Sequence, residues 1–194
     1  MKEKFLNSCI NFITKYNNYT DKDIKKLRYG LEGIYLTLTK TIIILLLSLV
    51  LKIFFEVIIV IVLFNIIRYF GFGFHAEKSW QCLLMSIFNF IIIPYILLSI
   101  NINFYLNILI SAVCIVSFIL WAPADTVKRP LKDKKKRLIR KIVTTTIGIL
   151  FSVFSIFLIN YRAIILSALI IQFIVVCPLT YLIMNQSFDN YKNC

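Results

Sequence analysis

Acidic residues are scarce in this 194-residue chain: nine Asp and Glu stand against 22 Lys and Arg. Charged residues of both signs make up only 16 %, against about 25 % in ordinary soluble domains. Histidine occurs once, at His75, and no HExxH is present, so a zinc peptidase lacks its ligands. No CxxC pair exists among the five cysteines, Cys9, Cys82, Cys114, Cys177 and Cys194. An odd, scattered set of thiols argues against a disulfide framework or a structural zinc site, and no cofactor or metal site is visible. No GxxxG packing motif, internal repeat or low-complexity region occurs beyond one lysine run. The opening MKEKFLNSCINFITKYNNY is too polar for a signal-peptide core.

Hydrocarbon is abundant. Hydrophobic residues reach 60 %, mean hydropathy is +0.85, and apolar runs near 20 residues recur. That composition predicts an all-α polytopic membrane protein without a soluble module. Spans are expected at Leu31–Leu51, Ile53–Ile67, Ser79–Ile100 with a kink at Pro94, Ile102–Trp121, Ile142–Ile159, and Ala163–Met184 with a kink near Pro178. The second is short and begins with Glu56, so four crossings plus two re-entrant pieces is an alternative to six. Residues 1–30 read as an amphipathic segment in the interface, with Phe5, Leu6, Cys9, Phe12, Ile13 and Tyr16 at helical spacing. Residues 31–194 then form the membrane domain, with a basic connection at 122–141.

The formal charge of +13 is distributed to orient such a protein rather than to bind nucleic acid. With the N-terminus cytoplasmic, the inner side collects seven Lys and Arg before Leu31, then Arg68 and Lys78. Nine more lie between Lys128 and Lys141, and Lys192 completes nineteen. The outer side has Lys52 and Arg162 alone. Both termini and the segments 68–78 and 122–141 are therefore expected in the cytoplasm.

One of those segments holds chemistry. RYFGFGFHAEKSWQCLLMS, residues 68–86, places a titratable base seven residues before a thiol. A nucleophilic cysteine needs a base or a positive field to form its thiolate. On a continuous helix, seven residues are about 10.5 Å of rise, too far for a hydrogen bond of roughly 3 Å. His75 can meet Cys82 only from a loop folding back over a helix that begins near Ala76, and Gly71 and Gly73 supply the freedom for that turn. The competing view is an inert packing cysteine and an interfacial histidine.

The stretch resembles the signature of the accessory gene regulator B (AgrB) family, bacterial membrane cysteine endopeptidases that mature quorum-sensing peptide precursors. The matching features are Arg68, Gly73, His75-Ala76, Cys82 and Ser86. A second match is WAPADTVKRPLKDKKKRLIRK, similar to the family's AP…(K/R)P segment with its following basic residues. The family commonly has two adjacent glycines before the histidine motif; this chain has Phe72 where the first would sit.

The resemblance implies that Cys82 is the nucleophile and His75 the general base, then acid. Cys82 would attack a peptide carbonyl of an AgrD-like precursor and release its C-terminal piece. A substrate cysteine would then displace the thioester to close a thiolactone. Well-placed intramolecular attack enjoys effective molarities of about 10⁵ M or more over water. Arg68 is a candidate clamp for a substrate carboxylate or carbonyl. Ser79 and Gln81 are candidate oxyanion donors, and Asp125 either orients His75 or serves as a turn residue after Pro123. The basic residues Lys128, Arg129, Lys132, Lys134, Lys135, Lys136, Arg137, Arg140 and Lys141 suit anionic lipid or the precursor's acidic tail. A homodimer in the bacterial cell membrane follows from the resemblance alone. The rival class is a peptide transporter or interaction protein whose pathway Asn65, Asn89 and Gln172 would line.

Overall fold

A computed structural model describes residues 2–14, 19–74, 79–125 and 131–188. The chain divides into two compact units, Met1–Leu46 and Leu47–Cys194. The expected all-α membrane architecture is present: no β-strand occurs among the described residues, and six helices are long and apolar enough to cross a bilayer.

In the first unit, α1 (Lys2–Thr14) lies against the start of α2 (Asp21–Val50). The amphipathic reading of residues 1–30 therefore resolves into two pieces, because the polar residues from Asp21 onward are the opening turns of the first span. Thirty residues rise about 45 Å, half as long again as a roughly 30 Å hydrocarbon core. Lys2 Nζ donates to Glu32 Oε1 (2.6 Å), Arg28 pairs with Glu3, and the rings of Phe5 and Tyr35 stand 5.3 Å apart. The hydrogen bond to Glu32, reinforced by the carboxylate's charge, raises the Lys2 ammonium above its ordinary pKa.

The second unit is a bundle whose helices alternate in direction. α3 (Phe54–Gly71) extends four residues beyond the expected Ile67, so Arg68 belongs to a helix and not to the following connection. The third span is α4 (Ser79–Ile87), a π-turn at Phe88–Ile92 and α5 (Ile93–Ser99). The irregularity expected at Pro94 thus begins a turn and a half earlier. Proline has no N–H and clashes with the carbonyl four residues back; widening the preceding turn, with Ile93 N–H bonding Phe88 O, absorbs the misfit.

α6 (Phe104–Trp121) opens on Asn103, whose side chain accepts from Leu106 N–H. α7 (Lys134–Phe157) starts two turns before the expected Ile142. Asp133 caps it, accepting from Lys135 and Lys136 N–H at 2.9 and 3.3 Å. The basic residues from Lys134 to Lys141 therefore project from a helix. α8 (Arg162–Val176) ends at Cys177, short of the expected Met184, and α9 (Pro178–Ile183) follows as a separate short helix. Cys177 is extended, as a residue preceding proline tends to be.

α8 is the axis of this unit. It packs against α3, α5, α6 and α7 and is 56 % buried, against 11–28 % for the other five spans. Leu166, Ala168, Leu169, Ile171 and Val176 are fully enclosed. Elsewhere, small residues allow close approach: a Cβ on Gly148 of α7 would lie 2.8 Å from the Phe118 ring of α6.

Candidate active site

Helix ends leave carbonyls without intrahelical donors, and such groups must be satisfied away from water. At one end of the bundle they are satisfied by the stretch that leads into the histidine motif. α3 closes with Phe72 N–H on Arg68 O (3.0 Å), and Phe72 and Gly73 take φ of +53° and +125°. These values turn the chain sharply out of the helix and lay residues 72–74 across the end of α8. Phe74 N–H donates to Val175 O at 2.9 Å, one of the carbonyls α8 leaves open. Thr180 Oγ1 donates to Ile174 O and Cys177 N–H to Phe173 O, so two more of those carbonyls are also satisfied.

On its other side, residues 72–74 pair with the segment after α6. Phe72 and Ala124 form an isolated parallel bridge, with Gly73 N–H on Ala124 O (2.8 Å) and Ala124 N–H on Gly71 O (3.1 Å). The two sequence motifs, fifty residues apart, are thereby brought into contact by backbone hydrogen bonds. Tyr181 of α9 secures the segment after α6: its hydroxyl donates toward the carbonyls of Ala124 and Asp125 at 3.4 and 3.2 Å. Its ring meets Phe74 edge-on at 5.8 Å.

Gly73 is required where it stands. A Cβ there would lie 2.4 Å from Val175 Cγ1 and 2.8 Å from Val175 O. At Gly71 a Cβ would fall 2.6 Å from Gln172 Nε2, so it would displace the Gln172 amide.

Arg68 is the centre of the charge distribution. Its Nη2 donates to Phe74 O at 2.8 Å, the carbonyl of the residue immediately before His75. Its guanidinium lies 5.5 Å from the Phe64 ring centroid. Cys82 is half-buried on α4 with its thiol free, and its carbonyl accepts Ser86 Oγ at 2.8 Å. Ser86, part of the motif, is thus occupied with its own helix. Gln81 is half-buried and Ser79 exposed beside it. His75, Lys128 and Arg129 lie outside the described residues.

Asp125 is buried, and its Oδ2 accepts Leu131 N–H at 3.2 Å. Among the basic residues, Lys132, Lys134, Lys135 and Lys136 are exposed, while Arg137, Arg140 and Lys141 are half-buried. Arg140 points back into the site: Nη1 donates to Tyr69 O at 2.9 Å and Cζ sits 4.3 Å from the Phe72 ring centroid. Gln172 is fully buried on α8 and donates to Phe72 O at 3.2 Å. Of the other polar residues named for a pathway, Asn65 bonds its own helix at Ile61 O, and Asn89 is buried in the π-turn.

Sequence reasoning had Gln172 as a pathway residue, Arg140 as one cation of nine, and Tyr181 not at all. A buried amide in an apolar helix was the available signal for the first. Nothing in spacing announces the other two contacts. No group of three or more His, Cys, Asp or Glu suited to a metal occurs among the described residues.

Residues 6–178 match the family model for accessory gene regulator B. The chain belongs to the AgrB family. It is 30 % identical to accessory gene regulator protein B of Staphylococcus carnosus over 154 residues, 78 % of this chain and 81 % of that one. An AgrB-like protein of Listeria innocua is 29 % identical over 169 residues, covering 86 % and 83 % of the two chains. Accessory gene regulator protein B of Staphylococcus aureus strain N315 is 30 % identical over 123 residues, 63 % of this chain and 66 % of that one. No solved structure matches the chain. AgrB membership places this multi-pass membrane protein in the accessory gene regulator quorum-sensing system, with that system's precursor peptide as its implied partner.

Proposed function

We propose that this AgrB protein is a membrane cysteine endopeptidase that cuts the C-terminal part from its precursor peptide and hands the remainder to a substrate thiol. One observation carries the reading. The half-buried Arg68 guanidinium holds Phe74 O, the carbonyl that precedes His75, at 2.8 Å. That bond anchors the chain from which the base emerges, seven residues before the thiol of Cys82.

The chemistry proceeds in two acyl transfers. His75 takes the proton of Cys82, whose sulfur attacks the scissile carbonyl. The C–N bond breaks as the imidazolium returns that proton to the leaving nitrogen, and an acyl thioester remains on Cys82. A cysteine in the bound peptide then attacks the same carbonyl carbon, its proton passing to Cys82 as the enzyme thiol leaves, and a thiolactone forms. Thioester exchange is nearly neutral in free energy. The first step is uphill from an amide and is drawn forward by loss of the released fragment. A low-water site at the membrane boundary disfavours hydrolysis of the intermediate.

Arg68 serves in this scheme as the positioning charge. Ser79 and Gln81, at the same end of α4 as Cys82, are the candidate oxyanion donors. The exposed Lys132, Lys134, Lys135 and Lys136, with the neighbouring Lys128 and Arg129, receive the acidic tail of the precursor or anionic lipid. The charge asymmetry supports a cytoplasmic position for this end of the bundle and for both termini.

Co-expression of precursor with wild type, Cys82→Ala or Cys82→Ser tests the reading by mass. Cleavage by wild type alone, or by wild type with a slow serine variant, is expected. An uncut precursor in all three removes the peptidase, and cleavage by the alanine variant removes Cys82 as nucleophile.

A further inference from the structure

Phe72 occupies backbone space that suits glycine. At φ +53° a bulky side chain is strained, and such strain persists only where the surroundings impose it. Three contacts impose it here. The bridge to Ala124 pins the backbone on either side of it, at Gly71 O and Gly73 N–H. Gln172 Nε2 donates to its carbonyl from below, at 3.2 Å. Arg140 covers its ring at 4.3 Å while bonding Tyr69 O three residues earlier, so one planar guanidinium ties the last turn of α3 to the residue that leaves it. Arg140 is in turn set by α7, where Thr144 Oγ1 bonds Arg140 O and the Thr144 methyl lies against Gly71.

We propose that Arg140 and Gln172 are positioning residues that act through Phe72. Together they fix the posture of residues 72–74, and hence the point at which the chain enters His75. Arg140 works through the Phe72 ring and the Tyr69 carbonyl rather than as a docking charge like the exposed lysines before it. The inference rests on the cysteine-peptidase reading for its effect on turnover, and on the hydrogen bonds and the Arg140–Phe72 stack alone for its effect on residues 72–74.

The distinction is testable because lysine keeps the charge of arginine but cannot stack and donate in one plane. In reconstituted wild-type protein with synthetic precursor, Arg140→Lys should lower kcat about tenfold with KM within about twofold, the scale of losing one stacked, charge-assisted contact. Gln172→Met, which keeps the volume and removes the donor, should behave alike. Lys135→Ala should raise KM instead. In a Phe72→Gly background the ring is gone, so adding Arg140→Lys should cost less than half of what it costs in wild type.

Hydrogen–deuterium exchange at Gly73 and Phe74 N–H supplies a readout independent of cleavage, and should quicken about tenfold in Arg140→Lys and Gln172→Met. An Arg140→Lys variant that raises KM with kcat and exchange unmoved overturns the proposal. So does a kcat loss of equal size in the Phe72→Gly background. If wild type fails to cut the precursor while exchange still quickens in the variants, the peptidase reading falls and the positioning of the strand stands.

Discussion

Replacing Gly73 by alanine tests how closely turnover depends on the strand that crosses the end of α8. The added Cβ meets two atoms of Val175, Cγ1 at 2.4 Å and the carbonyl oxygen at 2.8 Å. The methyl can turn away, but the carbonyl belongs to the last turn of a fully packed helix and cannot. Restoring ordinary contact near 3.5 Å requires the strand to retreat by roughly 0.5–1 Å. That movement stretches Phe74 N–H to Val175 O and Gly73 N–H to Ala124 O, now 2.9 and 2.8 Å, each worth about 0.5–1.5 kcal/mol net. The φ of +125° adds strain of roughly 1–3 kcal/mol for any side chain. The total, about 2–6 kcal/mol, falls on the posture of residues 72–74 and not on the helix packing beneath them. A shift of about 1 Å at a reacting group costs on the order of a hundredfold in rate. Gly73→Ala should therefore reach the membrane at near wild-type levels by immunoblot, still react at Cys82 with a small maleimide, and process precursor at least fiftyfold more slowly. Processing at more than half the wild-type rate would refute the reasoning.

Other perturbations separate the roles of neighbouring groups. Arg68→Gln shortens the side chain and removes the guanidinium donor to Phe74 O, and should slow precursor processing about tenfold; processing at more than half the wild-type rate would deny the anchor its role. Gly148→Ala pushes a methyl against the Phe118 ring and should lower detergent-solubilised thermal stability by an amount equivalent to about 1–3 kcal/mol, leaving KM for precursor unchanged. Raising salt from 0.1 to 0.5 M should increase KM for an acidic precursor several-fold with little effect on kcat, because exposed lysine charges are screened within about 10 Å.

How much of this was legible beforehand differs by element. Hydropathy alone located all six spans, since twenty apolar residues in succession have few other uses. Helix boundaries failed where polar residues are helical: Arg68 looked like the start of a connection, and Lys134–Lys141 like part of the basic connection 122–141. Asp133 before three lysines is a capping signal that would have moved the start of α7 to its observed place. Pro94 announced a disturbance but not its form, because a π-turn upstream and a kink at the residue answer the same missing N–H. Chemistry-bearing residue types stood out through rarity: one histidine, and a cysteine at a fixed distance from it. Their surroundings did not, since the contact between Phe72 and Ala124 joins residues fifty apart through backbone atoms, on which side chains leave no pattern. Arg140 illustrates the limit best. In sequence it is one of nine cations, and its direction back toward Phe72 depends on the register of α7 against α3.

Direct capture of the acyl-enzyme is the sharpest test of the central assignment. Precursor lacking its internal cysteine, mixed with the reconstituted protein and quenched in acid, should leave an adduct equal in mass to the N-terminal fragment less one water. Peptide mapping should place that adduct on Cys82, with hydroxylamine releasing it and His75→Gln preventing its formation. Release of the C-terminal fragment with no adduct on Cys82, or with the adduct on another residue, would contradict the account.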